Sequence, residues 1–130
     1  MTEQRLALGK QGEDLAVAYL QRLGYRILAR NYRTRLGEID VIADDGGTLV
    51  FIEVKSRVGT TFDRSYEAVT DRKQRQLSKV ALEYTARHDL QDRPARFDVV
   101  GVLFEPARKL APGPARVELV KNAFDLCYGT

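Results

Sequence analysis

Asp40, Glu53 and Lys55 are the residues of this chain whose types and spacing suit chemistry at a phosphodiester, and a Gly46-Gly47 pair separates the first from the other two. Two consecutive glycines between alternating apolar runs favour a two-residue hairpin turn, because both central positions of such a turn take positive φ. That turn sets Asp40 opposite Glu53 and Glu38 opposite Lys55. Side chains alternate along a strand, so all four groups fall on the face that carries Ile42, Leu49 and Phe51. A turn at Asp45-Gly46 changes the partners and keeps the face; a three-residue turn divides the acids between two faces. Opposed carboxylates with Cβ atoms roughly 5 Å apart repel unless positive charge lies between them.

A divalent cation supplies such charge. Mg2+ or Mn2+ takes oxygen ligands, few of them from protein, and leaves its other positions to water and substrate phosphate. Asp40 and Glu53 are the candidate ligands. Lys55 brings an ammonium to the same face, where it orients an attacking water or neutralises charge on a pentavalent phosphate. The plainer reading of Glu-x-Lys on a strand is a solvated face with a weak ion pair. Against that reading, these charges continue an apolar face that a helix should cover, where unpaired charge is costly. The single histidine, His88, and single cysteine, Cys127, leave no soft-ligand metal site and no internal disulfide.

The elements that position these groups follow from periodicity. Apolar residues recur at helical spacing from Glu3 to Leu23, and Gly24 ends that helix. Strands are expected over Tyr25 to Arg33, Leu36 to Ala43 and Thr48 to Ser56, followed by a loop from Arg57 to Ser65. A second helix spans Thr70 to His88 with Thr70 as N-cap. Phe97 to Phe104 is nearly all apolar, as in a strand buried on both faces, and Arg116 to Val120 forms a last strand after Pro106, Pro112 and Pro114. The order is α-β-β-β-α-β-β, and a strand, helix, buried strand sequence implies a parallel crossover within one mixed sheet.

Glu13 falls on the flank of the first helix's apolar stripe, from which it either reaches the sheet or stays at the solvent edge. Lys73 lies in the opening turn of the second helix between Val69 and Leu77, where it either approaches the acids or snorkels along apolar surface. Arg22, Arg26, Arg30, Arg33 and Arg35 run through a stretch without acids, interleaved with Tyr25 and Tyr32. They suit phosphate contacts, and equally an edge strand protected by charge. Arg57, Arg64, Arg72 and Arg75 border the acidic cluster, where a bound nucleic-acid backbone needs cations. Asp98 is expected at the far end of the sheet in a structural role.

One domain accounts for all 130 residues. A hydrophobic share of 44% and a charged share of 30% exclude disordered and collagen-like classes. The net charge of +3 hints at a polyanionic partner. No apolar run approaches membrane-spanning length and no secretory signal is evident, so a cytoplasmic protein without a membrane partner is expected.

Gly12-Glu13, Gly24-Tyr25, Arg30-Asn31, Gly37-Glu38-Ile39-Asp40, Glu53-Val54-Lys55, Ala68-Val69-Thr70, Lys73-Gln74, Arg96-Phe97-Asp98-Val99-Val100 and Asn122-Ala123-Phe124 together resemble the small bacterial YraN-like family. That family is similar to archaeal Holliday junction resolvases and sits in the PD-(D/E)XK nuclease superfamily. The resemblance spans nearly the whole chain. It implies a restriction-endonuclease-like fold, Asp40 and Glu53 as metal ligands with Glu13 as the helix-borne acid, Lys55 as the catalytic lysine, and Lys73 as an auxiliary basic residue. Ile39 stands where many members of the superfamily carry proline. The implied activity is Mg2+-dependent cleavage of DNA, with branched or otherwise structured DNA as substrate and a homodimer as a possible assembly. The alternative is a nucleic-acid-binding adaptor of the same fold with little or no catalysis.

Overall fold

The computed structural model describes residues 3–59, 69–106 and 115–125. Helix α1 (Glu3–Arg22) leads into strands β1 (Arg26–Thr34), β2 (Gly37–Asp45) and β3 (Thr48–Val58); helix α2 (Asp71–Arg87) then precedes β4 (Ala95–Phe104) and β5 (Ala115–Phe124). The strands form one sheet in the order β1-β2-β3-β4-β5, antiparallel except for the parallel β3–β4 pair. This is the expected α-β-β-β-α-β-β order, consistent with a restriction-endonuclease-like fold. The loop expected from Arg57 begins later, since β3 runs to Val58, and β5 extends four residues beyond Val120.

Local chemistry explains the boundaries. α1 ends in a Schellman motif: Gly24 takes φ 95°, its N–H donates to the Gln21 carbonyl at 3.0 Å, and the Tyr25 N–H donates to Leu20 at 3.0 Å. Thr70 caps α2 by accepting the Lys73 N–H on its hydroxyl at 3.2 Å, which fixes Lys73 in the first turn. Gly46 and Gly47, at φ 58° and 102°, supply the left-handed turn of the β2–β3 hairpin.

The helices cover opposite faces of the sheet. Ala16, Val17 and Leu20 of α1 pack on Val41, Ala43, Val50, Ile52, Val100 and Val102. Leu77, Val80, Ala81 and Tyr84 of α2 pack on Ile39, Ile42, Leu49, Phe51 and Phe97. β4 is buried from Phe97 to Leu103, as a strand covered on both faces must be. Among the described residues no helix is long and apolar enough to cross a membrane.

Candidate functional site at the fork between β2 and β3

The hairpin register begins as the glycine turn requires, with Asp45 opposite Thr48 and Ile42 opposite Phe51. It ends at Val41 opposite Ile52. Beyond that point β2 continues paired with β1 through Gly37, and β3 continues paired with β4 through Val58. The two central strands therefore part, and Asp40 and Glu53 are the first residues past the parting.

This corrects the simple alternation expected for the hairpin. Ile39 and Ile42 both belong to the core beneath α2, whereas Val41 belongs to the core beneath α1. The face changes across Asp40, so Asp40 does not continue the Ile42 row as strict two-residue periodicity would have it. Its carboxylate instead accepts the backbone N–H of Val54 at 2.8 Å. Asp40 also lines a cleft of about 560 Å3 with Gly9, Glu13, Val54, Ser56 and Arg57. Glu53 continues the Phe51 row and borders Ile39, Leu77 and Phe97 on the α2 side.

The groups interact across this fork. Burial pushes the Asp40 carboxyl up to about 7, and the negative charges of Glu53, Glu13 and Glu38 push the same way against the Val54 hydrogen bond. Burial likewise raises Glu53, opposed first by Lys73 and then by Lys55. Lys55 lies below the usual lysine range because it is desolvated and faces Lys73, with Glu53 acting in the opposite sense. Glu13 from α1, Glu38 and Asp40 from β2, Glu53 and Lys55 from β3, and Lys73 from α2 thus share one electrostatic neighbourhood. Lys73, half-buried in the first turn of α2, is the cation whose charge most favours ionised Glu53.

Gly12 and Asn31, which the sequence offered within resembling motifs and without a role of their own, lie against these groups. An ideal Cβ on Gly12 would stand 2.9 Å from the Ser56 Cβ and closer still to its hydroxyl, so α1 rests directly on β3 beside Glu13. Asn31, at φ 52°, holds its amide between two acids: in the orientation that satisfies its neighbours, the NH2 lies 3.2 Å from both Glu13 oxygens and 3.1 Å from Glu38 Oε1. The signal for Asn31 was its type, since asparagine is depleted inside strands and tolerates left-handed backbone.

The arginines divide. Arg57 lines the cleft with Asp40 and Glu13. Arg72 and Arg75 are exposed on the opening turns of α2. Arg33 pairs with Glu38 at 3.3 Å, yet with Arg35 it also borders a separate depression shared with Glu83 and Arg87. Arg30 is committed to Asp14 at 2.7 Å, and β1 is an edge strand, as a charge-protected edge requires. Arg64 and Cys127 lie outside the described residues.

Asp98 has the expected structural role for a different reason. It stands level with Ile52, one step from the Glu53 row rather than at the far end of the sheet. It belongs to the other face, fully buried, accepting from Tyr25 Oη at 3.2 Å, Arg96 Nε at 3.0 Å and the Asn122 N–H at 2.9 Å.

The donor set at the fork is oxygen and carboxylate throughout, which fits a hard divalent cation. Among the described residues, no three acidic, histidine or cysteine side chains converge as a ready-made cage. Mg2+ commonly takes one or two protein carboxylates and completes its shell with water and phosphate. Asp40 and Glu53 match that lower requirement by residue type, Asp40 lining the cleft beside α1 and Glu53 lying on the α2 side of the fork.

Comparison with known proteins gives the same family throughout. Residues 12–102 match the profile of "Uncharacterised protein family UPF0102". The chain is 49% identical over 126 residues to a UPF0102 protein of Syntrophus aciditrophicus, covering 97% of this chain and 94% of that one. It is 50% identical over 121 residues to one of Geobacter sulfurreducens, covering 93% and 91%. A UPF0102 protein of Geobacter metallireducens is 44% identical over 128 residues, covering 98% of this chain and 100% of its own length. The matched segment holds Glu13, the parted strands and Lys73, and the chain belongs to the UPF0102 family, the YraN-like group that its motifs resemble.

Proposed function

We propose that this protein is a divalent-metal-dependent endonuclease that hydrolyses phosphodiester bonds in DNA, with branched or structured DNA as the preferred substrate. The observation that carries this reading is the fork itself: Asp40 and Glu53 stand at the parting of two strands, buried enough to raise both carboxyls, with Lys55 and Lys73 beside Glu53. Buried like charges of this kind are costly to a fold and gain their use when a cation joins them.

Asp40 and Glu53 would hold Mg2+ or Mn2+, with Glu13 nearby on α1. When bound, the ion supplies positive charge to the scissile phosphate and acidity to a water. The Val54 N–H holds one oxygen of the Asp40 carboxylate. Lys55 neutralises charge that builds on the non-bridging phosphate oxygens as water adds to phosphorus and one P–O ester bond breaks. The charge of Lys73 acts on Glu53 and tempers the negative charge of the acids. Arg57 in the cleft, Arg72 and Arg75 on α2, and Arg33 and Arg35 on β1 and its turn would contact the DNA backbone. Arg64 belongs to the same proposal from sequence.

Incubation with four-way junction, flap, single-stranded and duplex DNA in Mg2+ or Mn2+ tests the reading. Cleavage by the wild-type protein that disappears in D40N and K55A is the expected result. Absence of cleavage on all four substrates counts against it.

A second reading, a nucleic-acid-binding adaptor of the same fold, is favoured by the lack of a three-ligand cage among the described residues. Calorimetry without divalent-ion binding, together with DNA binding that weakens with salt, supports the adaptor.

A further inference from the structure

We infer that Asn31 is the positioning residue of the acidic fork: its left-handed backbone redirects β1 and β2, and its amide ties the helix-borne Glu13 to the strand-borne Glu38. The inference takes the fork as the functional centre, and so rests on the reading above.

Three observations carry it. The pairs Arg30–Val41 and Tyr32–Ile39 flank Asn31 and leave it opposite Asp40. Both strands change face at that point. Ala29 and Tyr32 both pack beneath α2, as do Ile39 and Ile42, although strict alternation would separate each pair. Asn31 at φ 52° is the residue whose backbone leaves the extended region there. A left-handed conformation disfavours most side chains, and asparagine is among the few that accept it.

The side chain then does what no carboxylate at this position would do. With the amide turned so that its nitrogen faces the acids, its NH2 lies 3.2 Å from each Glu13 oxygen and 3.1 Å from Glu38 Oε1, so one donor group meets acids from two elements. Two carboxylates drawn to a common amide are held near each other without a cation, and Glu38 is held from the other side by Arg33 at 3.3 Å. The acids that lie beside Asp40 are thereby oriented before any ion arrives. Residues that orient metal ligands from outside typically contribute 10- to 100-fold to metal affinity.

N31G separates the two roles, because glycine keeps left-handed backbone and removes the amide. N31G is expected to melt close to the wild-type temperature and to bind Mn2+ about tenfold more weakly by calorimetry. In the metal-free wild-type protein, the Asn31 side-chain 1H–15N resonances should move in E13Q and again in E38Q. Mn2+ affinity in N31G equal to wild type, or Asn31 amide resonances indifferent to both glutamine variants, overturns the inference. If wild-type protein binds no Mn2+, the metal reading of the site fails by itself, and the resonance shifts alone decide whether Asn31 ties Glu13 to Glu38.

Discussion

The Asp40 carboxylate accepts the Val54 backbone N–H at 2.8 Å, so a side chain of β2 makes a bond to β3 just past the last paired residues of the two strands. The separation of the strands is thus closed by an acid, and the acid is anchored where the hairpin opens.

The burial of Asp40, with the charge of Glu53 beside it, sets a pH dependence that the Val54 bond opposes. Asp40 titrates at about 7 in the fold against an ordinary 3.8, so the folded chain binds this proton more tightly than the unfolded chain does. Its stabilising contribution is complete below the unfolded value and is lost as pH rises through 7. The carboxamide introduced by D40N keeps an oxygen for the Val54 N–H and carries no charge. In EDTA at pH 8, D40N should be more stable than wild type by on the order of 2 kcal/mol, a melting difference of several degrees. At pH 4 the two melting curves should coincide. Equal melting points at both pH values would show that Asp40 carries no burden of charge.

The lysines should separate by role. K55A is expected to lose cleavage by about 100-fold or more while keeping most DNA affinity, as removal of one group that stabilises transition-state charge commonly does. K73Q should lose less, about tenfold, and should raise the apparent proton affinity of Glu53, whose largest charge partner is Lys73. Single-turnover cleavage and salt-dependent binding measured on the same preparations distinguish the two. Equal losses in both variants would place Lys73 level with Lys55.

Gly12 offers a test at the helix. A Cβ there meets the Ser56 side chain, so G12A should destabilise the fold by about 1–3 kcal/mol through overpacking. Ser56→Gly opens that space, and the double variant should recover more than the sum of its parts. Urea denaturation of the four proteins gives the coupling energy, for which about 1 kcal/mol is expected. Additive losses would mean that α1 yields freely at this contact.

Asp98 supplies the contrast. D98A leaves Arg96, the Tyr25 hydroxyl and the Asn122 N–H without their buried acceptor, and should cost about 3–5 kcal/mol. Divalent-ion affinity of the folded fraction should stay at the wild-type value. A loss of ion affinity with unchanged stability would move Asp98 into the site.

Much of the fold was legible in the residues because its signals were local. Gly24 and Thr70 bound the helices by chemistry that neighbouring residues complete, and Gly46-Gly47 fixed the register wherever β2 and β3 pair. The candidate site was legible only by residue type, and the charges of Glu13, Asp40, Glu53, Lys55 and Lys73 act on one another across the fork. Their arrangement was not legible, because the alternation that placed all four hairpin charges on one face is interrupted at Asn31 and Asp40. That interruption depends on β1 and α1, which lie outside the hairpin. Asp98 failed in a similar way: strand direction gave its end of β4, whereas its level against Ile52 depends on the stagger between the two parallel strands. β5 outran its apolar stretch because it pairs again at Phe124 opposite Phe97 after a register shift, within which Asn122, at φ 53°, gives its N–H to the Asp98 carboxylate instead of the ladder.

Helix α1 has a mechanical consequence. It is tied to β1 through Asp14 and Arg30 and rests on β3 through Gly12 and Ser56, spanning the gap between the two sides of the sheet. It acts as a brace across the parted strands, joining the β1 side to the β3 side on the face where Asp40 lines the cleft. Substitutions along the buried stripe of α1, at Ala16, Val17 and Leu20, therefore bear on how the two sides are held together.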